Sequence, residues 1–156
     1  KFDLNSWQIQ TNLTERNEKA DRIPARITGD IINSVISEGC NISGQVTHSI
    51  LSPGVTVEKG SVVQDSIIFH DSLIHYGALL KRVIIDKDVV IGENAEIGQS
   101  GSDVKSKEYG DLLEDGFTLI GKSVKIPART RIEANSVIFS QTKEIPAEIP
   151  AGSTLR

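Results

Sequence analysis

The sequence predicts an all-β protein folded as one parallel β-helix, and three observations carry that reading. Aliphatic residues return every six positions, cleanly at Ile120, Ile126, Ile132 and Ile138, and again at Ile85, Ile91 and Ile97. The residue two before each is small or β-branched: Thr118, Val124, Thr130, Ser136, Val83, Val89 and Ala95. Aromatic residues are scarce at 4%, whereas Ile supplies 21 and Val 12 of the 156 residues. A period of six fits neither the 3.6 of a helix nor the 2 of a plain strand; it is the period of a hexapeptide β-helix. A core of aliphatics without rings suits a narrow shaft in which like side chains stack.

In chain order, residues 1–24 lack the beat and read as a docking segment and linker. Phe2, Leu4, Trp7 and Ile9 alternate loosely, as in a short strand, and residues 11–22 are polar and charged. Pro24 precedes the first repeat near Ile27, and residues 25–140 form the β-helix domain. Inward positions fall at Ile36, Ile42, Leu51, Val57, Val63, Ile68, Ile74, Leu80, Ile85, Ile91 and Ile97. The spacing is six with slips: nine between Ile42 and Leu51, and five from Val63 to Ile68 and from Leu80 to Ile85. A slip of one residue predicts a bulge at a corner, and one of three predicts a small outward loop. Three hexads per turn predict a coil of about eighteen residues. Residues 99–117 break the beat and predict a protruding loop, with one helical turn at Tyr109–Glu114. After Ile138, the Pro-containing residues 141–156 read as an extended tail covering the open end of the shaft, where strand edges are otherwise unpaired.

The physical logic is stacking. Each aliphatic lies on its equivalent one coil away, and each buried Ile or Val is worth about 1.5–3 kcal/mol. The residue two before it also points inward, near a corner with room only for a small side chain. No repeat buries its own face, so stability comes from neighbours. Glycines such as Gly39, Gly54, Gly60, Gly77, Gly92, Gly98 and Gly121 suit the tight corners. Parallel crossovers are right-handed almost everywhere, but proteins with this six-residue pattern are the exception. That resemblance makes the expectation a left-handed β-helix.

Net charge is -4, so no basic footprint points to nucleic acid. No run of eighteen apolar residues predicts a membrane span. The lone cysteine, Cys40, excludes an internal disulfide and fits a cytoplasmic protein. Methionine is absent and residue 1 is Lys, so the expectation is a piece of a longer protein, whose remainder holds any active site.

Catalytic signatures are sparse. His70 and His75 show an H-x4-H spacing used by β-helix zinc enzymes. His48, however, lies 22 residues before His70, the wrong offset for the third ligand, so no metal is expected. A single His also serves as general base in hexapeptide acyltransferases, but the glycine-rich C-terminal channel that coenzyme A needs there is missing. No GxGxxG follows a predicted strand. Basic residues gather at Lys81, Arg82 and Lys87, and at Lys122, Lys125, Arg129 and Arg131. Lys122 and Lys125 flank a corner suited to an anion, although solubility alone also explains such charges.

Several stretches resemble one family. INSVISEGC (32–40), SVVQDSIIF (61–69) and RVIIDKDVVIG (82–92) are similar to the C-terminal domain of ADP-glucose pyrophosphorylase, that is, glucose-1-phosphate adenylyltransferase. NSWQIQT (5–11) resembles the segment where that enzyme leaves its catalytic domain, and DGFTLIGKSVKIP (115–127) resembles its last coil. The resemblance implies a parent that makes ADP-glucose and pyrophosphate from ATP and glucose 1-phosphate with Mg²⁺, for glycogen or starch. The catalytic α/β domain, with its Gly-rich loop, lies outside this chain. In the family the β-helix packs on that domain, helps build a tetramer and contributes to binding phosphorylated effectors. Lys122 matches the effector-linked lysine, Arg82 opens the Arg-x-Ile-Ile-Asp-Lys element near the effector region, and Lys87 closes it. Loop 99–117 does not match closely. By itself the chain is expected to be inert. Two alternatives stay open: a hexapeptide-repeat acyltransferase, or the β-helix domain of a related sugar nucleotidyltransferase of the mannose-1-phosphate guanylyltransferase type.

Overall fold

Two- and three-residue strands alternate with corners, because each hexad offers one inward aliphatic and then turn-forming residues. The computed structural model describes residues 24–110, 112, 113 and 115–156. The expected docking segment thus lies outside the described residues, apart from Pro24. Every strand pairing is parallel, and the strands form three sheets of six, seven and seven members. The sheets wrap one shaft, a left-handed hexapeptide β-helix. No helix of the described residues is long and apolar enough to cross a membrane.

Each face carries one inward column. The first face stacks Ile27, Ile42, Val57, Ile74, Ile91 and Ile126. The second stacks Ile31, Val46, Val63, Leu80, Ile97, Ile132 and Ile149. The third stacks Ile36, Leu51, Ile68, Ile85, Ile120, Ile138 and Leu155. Every expected inward residue is in a column. The small partners two positions earlier, from Cys40 and Ser49 through Ala78 and Ala95 to Ser136, are buried beside them.

Two expectations need correction. The coil is shorter than eighteen residues over most of the shaft: Ile42 lies over Ile27, an offset of 15, and Ile74 over Val57, an offset of 17. The nine-residue gap between Ile42 and Leu51 is not an outward loop, because Val46 points inward there and is fully buried. The reason lies in the corners. From first to second face the early corners span Ile27 to Ile31 and Ile42 to Val46, with Gly29 in the first and Gly44 in the second. A Cβ on Gly44 would sit 2.5 Å from the Ser61 carbonyl oxygen.

From second to third face the corner of each of the first four coils holds one residue fewer than a full hexad, and a left-handed residue closes it: Asn33, His48, Asp65 and Arg82, with φ of 46°, 48°, 50° and 51°. Left-handed backbone costs an L-residue about 1–2 kcal/mol, least for Asn and Asp. Side-chain hydroxyls supply the acceptors this tight corner needs. Ser49 N–H donates to Ser34 Oγ, Ser66 N–H to Ser49 Oγ and Val83 N–H to Ser66 Oγ, each at 3.1 Å. A serine ladder therefore takes one amide per rung at this edge, beside the main-chain hydrogen bonds of the corner.

The two ends differ. Residues 141–156 include two further strands, Glu148–Ile149 and Thr154–Leu155, which extend the second and third faces. Ile145 and Leu155 pack on the core there. At the other end Ile27 is 50% exposed, and Ile31 and Ile36 are only half-buried. Loop 99–117 leaves after Ile97 and folds back on the last coils. The expected helical turn is a single turn, in which the Leu112 and Leu113 amides donate to the Tyr109 carbonyl at 2.8 Å.

Candidate functional site

Outward residues alternate with the core columns, so each face has its own exterior. On the first face that exterior mixes Arg26, Asn41, Thr56, Leu73, Val90 and Lys125. The second carries Glu96, Arg131 and Glu148 toward its end, with Arg131 paired to Glu96 at 3.2 Å. The third is different: Val35, Ile50, Ile67, Ile84, Leu119 and Val137 follow one another in register, all aliphatic. Val35 is 61% and Ile50 47% exposed. This continuous aliphatic stripe sets the third face apart from the other two.

The stripe ends in a groove of about 500 Å³. Ile84, Leu119 and Val137 form its floor, and Phe69 and Phe139 stand at its two ends. Phe69, Asp86, Gly121 and Phe139 hold the same position on four successive coils, each amide donating to the next coil's inward residue at 2.8–2.9 Å. The rings thus bracket a gap left by Asp86 and Gly121. Gly121 cannot carry a side chain, since a Cβ would lie 2.6 Å from the Ser140 nitrogen.

Lys122 lines this groove. It stands one coil beyond Lys87, which in turn stands one coil beyond His70. The Asp88 amide donates to the His70 carbonyl at 3.0 Å and the Ser123 amide to the Lys87 carbonyl at 2.9 Å, which fixes that register. The structure therefore brings Lys87 and Lys122 together along the edge between the third and first faces. Arg82 is not with them. It occupies the opposite edge, across the strand Val83–Ile85, where its Nη1 donates to the Asp115 carbonyl at 3.3 Å and holds the returning leg of loop 99–117. The three histidines lie on three different edges, and among the described residues no group of three His, Cys, Asp or Glu is placed to hold a metal.

Sequence reasoning missed Phe69, Phe139, Asp86 and Arg156. The first two had a signal, because each directly follows an inward isoleucine and so must turn outward at a corner. Arg156 stacks over the Phe139 ring at 5.3 Å and binds both carboxylate oxygens of Glu108. The Arg156 hydrogen bond holds the Glu108 carboxyl below the usual carboxylate range. Cys40 faces the core, and burial pushes its thiol up, away from reactivity.

The comparisons agree with the periodicity. A family model described as GlmU-like, C-terminal hexapeptide, matches residues 21–120. The glucose-1-phosphate adenylyltransferase of Streptomyces coelicolor is 47% identical over 62 residues, which is 38% of this chain and 14% of that protein. The enzyme of the same name from Bacillus mycoides is 42% identical over 73 residues, which is 42% of this chain and 19% of that protein. The matched segments lie in the C-terminal part of those proteins, so the chain spans less than a fifth of the relatives it matches.

Proposed function

Because the chain belongs to the GlmU-like C-terminal hexapeptide family, we propose that it is the regulatory and oligomerisation domain of a glucose-1-phosphate adenylyltransferase. The parent makes ADP-glucose and pyrophosphate from ATP and glucose 1-phosphate in the cytoplasm. The observation that carries this reading is the aliphatic stripe from Val35 to Val137 on the third face alone. It suits docking on the parent's own catalytic domain, while faces with mixed charge stay in water. The groove at its end supports an effector role. Lys122 and Lys87 offer charge-assisted hydrogen bonds to a phosphorylated ligand beside the docked face, and Arg82 ties loop 99–117 to the same face. Movement of either domain then changes what the ligand meets, which is the requirement for coupling two sites. ATP and Mg²⁺ belong to the catalytic domain, and no described residue of this chain is assigned to the metal.

The test is made on the parent enzyme. Ile67→Lys places a charge in the middle of the stripe, outside the groove lining, without touching the core. The expected result is faster protease cleavage between the domains and a lost effector response, with basal activity retained. An unchanged cleavage rate and effector curve would reject the docking role. The chain alone should release no pyrophosphate from ATP and glucose 1-phosphate.

A further inference from the structure

We propose that Arg156 is a ligand-binding cation of the third-face groove, and that Glu108 holds its guanidinium as an internal anion until a phosphate group takes its place. The inference rests on the effector role proposed for that groove. It starts from register. The Phe139 amide donates to the Leu155 carbonyl at 2.9 Å, and Ile138 is paired with Leu155. Arg156 follows Leu155 as Phe139 follows Ile138, so it stands one rung beyond Phe139 in the outward column of Phe69, Asp86, Gly121 and Phe139. Gly121 and Arg156 are therefore two rungs apart, roughly 10 Å. Lys122 follows Gly121 and lines the groove together with Phe139. A lysine and an arginine at that separation can converge on one anion beside the Phe139 ring. Asp86 brings a carboxylate to the same groove, but three rungs from Arg156, and its Oδ1 accepts from the Lys87 amide at 2.8 Å. An anion is thus drawn to the Arg156 end.

The guanidinium is already set for an anion. Its Nη1 donates to Glu108 Oε1 at 3.0 Å and its Nη2 to Glu108 Oε2, the forked geometry that a phosphate also accepts. Its plane lies over the Phe139 ring at 5.3 Å, which keeps the cation in place whichever anion it carries. The pair is open to exchange, because the Arg156 side chain is 61% and the Glu108 side chain 40% exposed. Exposed pairs hold weakly, so a dianion that also engages Lys122 outcompetes a single carboxylate. Displacement has a local consequence. Glu108 follows Lys107, whose amide donates to the Gly152 carbonyl at 3.0 Å. The legs of loop 99–117 are anchored elsewhere, by Asn135 and Arg82. Ligand binding therefore frees the tip around Lys107 and Glu108 and leaves the legs in place.

The test uses the 156-residue chain and inorganic phosphate, followed by calorimetry, carbon-detected NMR of the Glu108 carboxyl and hydrogen exchange. Phosphate should return the Glu108 titration to the ordinary glutamate range and speed exchange at the Lys107 amide, with the Gly116 amide unchanged. Glu108→Gln should tighten phosphate binding by about two- to fivefold, the range over which an exposed ion pair competes. Arg156→Ala and Lys122→Ala should each weaken it. A purely structural tie between Glu108 and Arg156 gives no such gain in Glu108→Gln. Phosphate binding that needs Lys122 but is unaltered in Glu108→Gln and Arg156→Ala would overturn the proposal and leave the effector groove standing. Tighter binding in Glu108→Gln that Lys122→Ala does not weaken would also overturn it, placing the anion on Arg156 outside the groove. No phosphate binding in either the wild-type chain or Glu108→Gln would overturn the groove's effector role and the proposal together.

Discussion

The Gly116 amide donates to the Oδ1 of Asn135 at 2.8 Å, and this one fully buried side chain anchors loop 99–117. Its Nδ2 donates to the Val104 carbonyl at 2.7 Å and to the Ser102 carbonyl at 3.3 Å. Asn135 also closes its own corner with a left-handed φ of 59°. Asn135→Ala strands one amide and two carbonyls and places a Cβ-only residue in that backbone. The expected loss is about 2–3 kcal/mol. Urea denaturation measures it, and hydrogen exchange should show faster exchange at Gly116 ahead of the core strands.

Side chains on the two sides of one sheet should respond in opposite ways. Ile91 is fully buried between Ile74 and Ile126. Ile91→Ala should destabilise the chain by about 2–5 kcal/mol through lost transfer energy and a cavity. Ile84 points outward on the third face, and Ile84→Ala should change the stability of the isolated chain by less than about 1 kcal/mol. Denaturation midpoints of the two variants decide this. Equal losses would mean that the third face is core rather than surface.

The contact between Glu108 and Arg156 should be visible in acid. The folded state depresses the Glu108 carboxyl because Arg156 hydrogen-bonds its ionised form. A depressed carboxylate contributes stability above its unfolded pKa and loses it as pH falls through the folded value. The contact should therefore weaken only below the ordinary glutamate range. Both groups are exposed, so the measurable quantity is the titration itself. Carbon-detected NMR should place Glu108 below the ordinary glutamate range, and Arg156→Ala should return it to that range.

Lys122→Ala in the parent enzyme should weaken activation by a sugar phosphate while leaving thermal stability unchanged, because the side chain is exposed at a corner. A coupling of about 1–3 kcal/mol corresponds to a 5- to 150-fold change in effector affinity. Lys87→Ala should act in the same direction because it shares the edge. An activation curve identical to wild type in both variants would remove the effector role from this groove.

The sequence by itself determined the shaft, because the core is made of one kind of side chain repeated at one period. Ile120, Ile126, Ile132 and Ile138 announce three faces without any contact being known, and the small residues two positions earlier announce the corners. Val46 escaped that reading because its neighbours in the columns are four residues back and five ahead, so the beat hid it. The tertiary structure alone decided how many residues make a coil. The serine ladder and the left-handed Asn33, His48, Asp65 and Arg82 shorten one corner, and shorter corners shift which residues stand over one another. Outward neighbours depend on that shift. Ile67 beside Ile84, Phe69 in line with Phe139, and Lys122 next to Lys87 across the whole 99–117 loop are products of coil register. Inward residues tolerate a misjudged coil because every rung is aliphatic, but outward ones differ from rung to rung, so the exterior surface cannot be read until the winding is known.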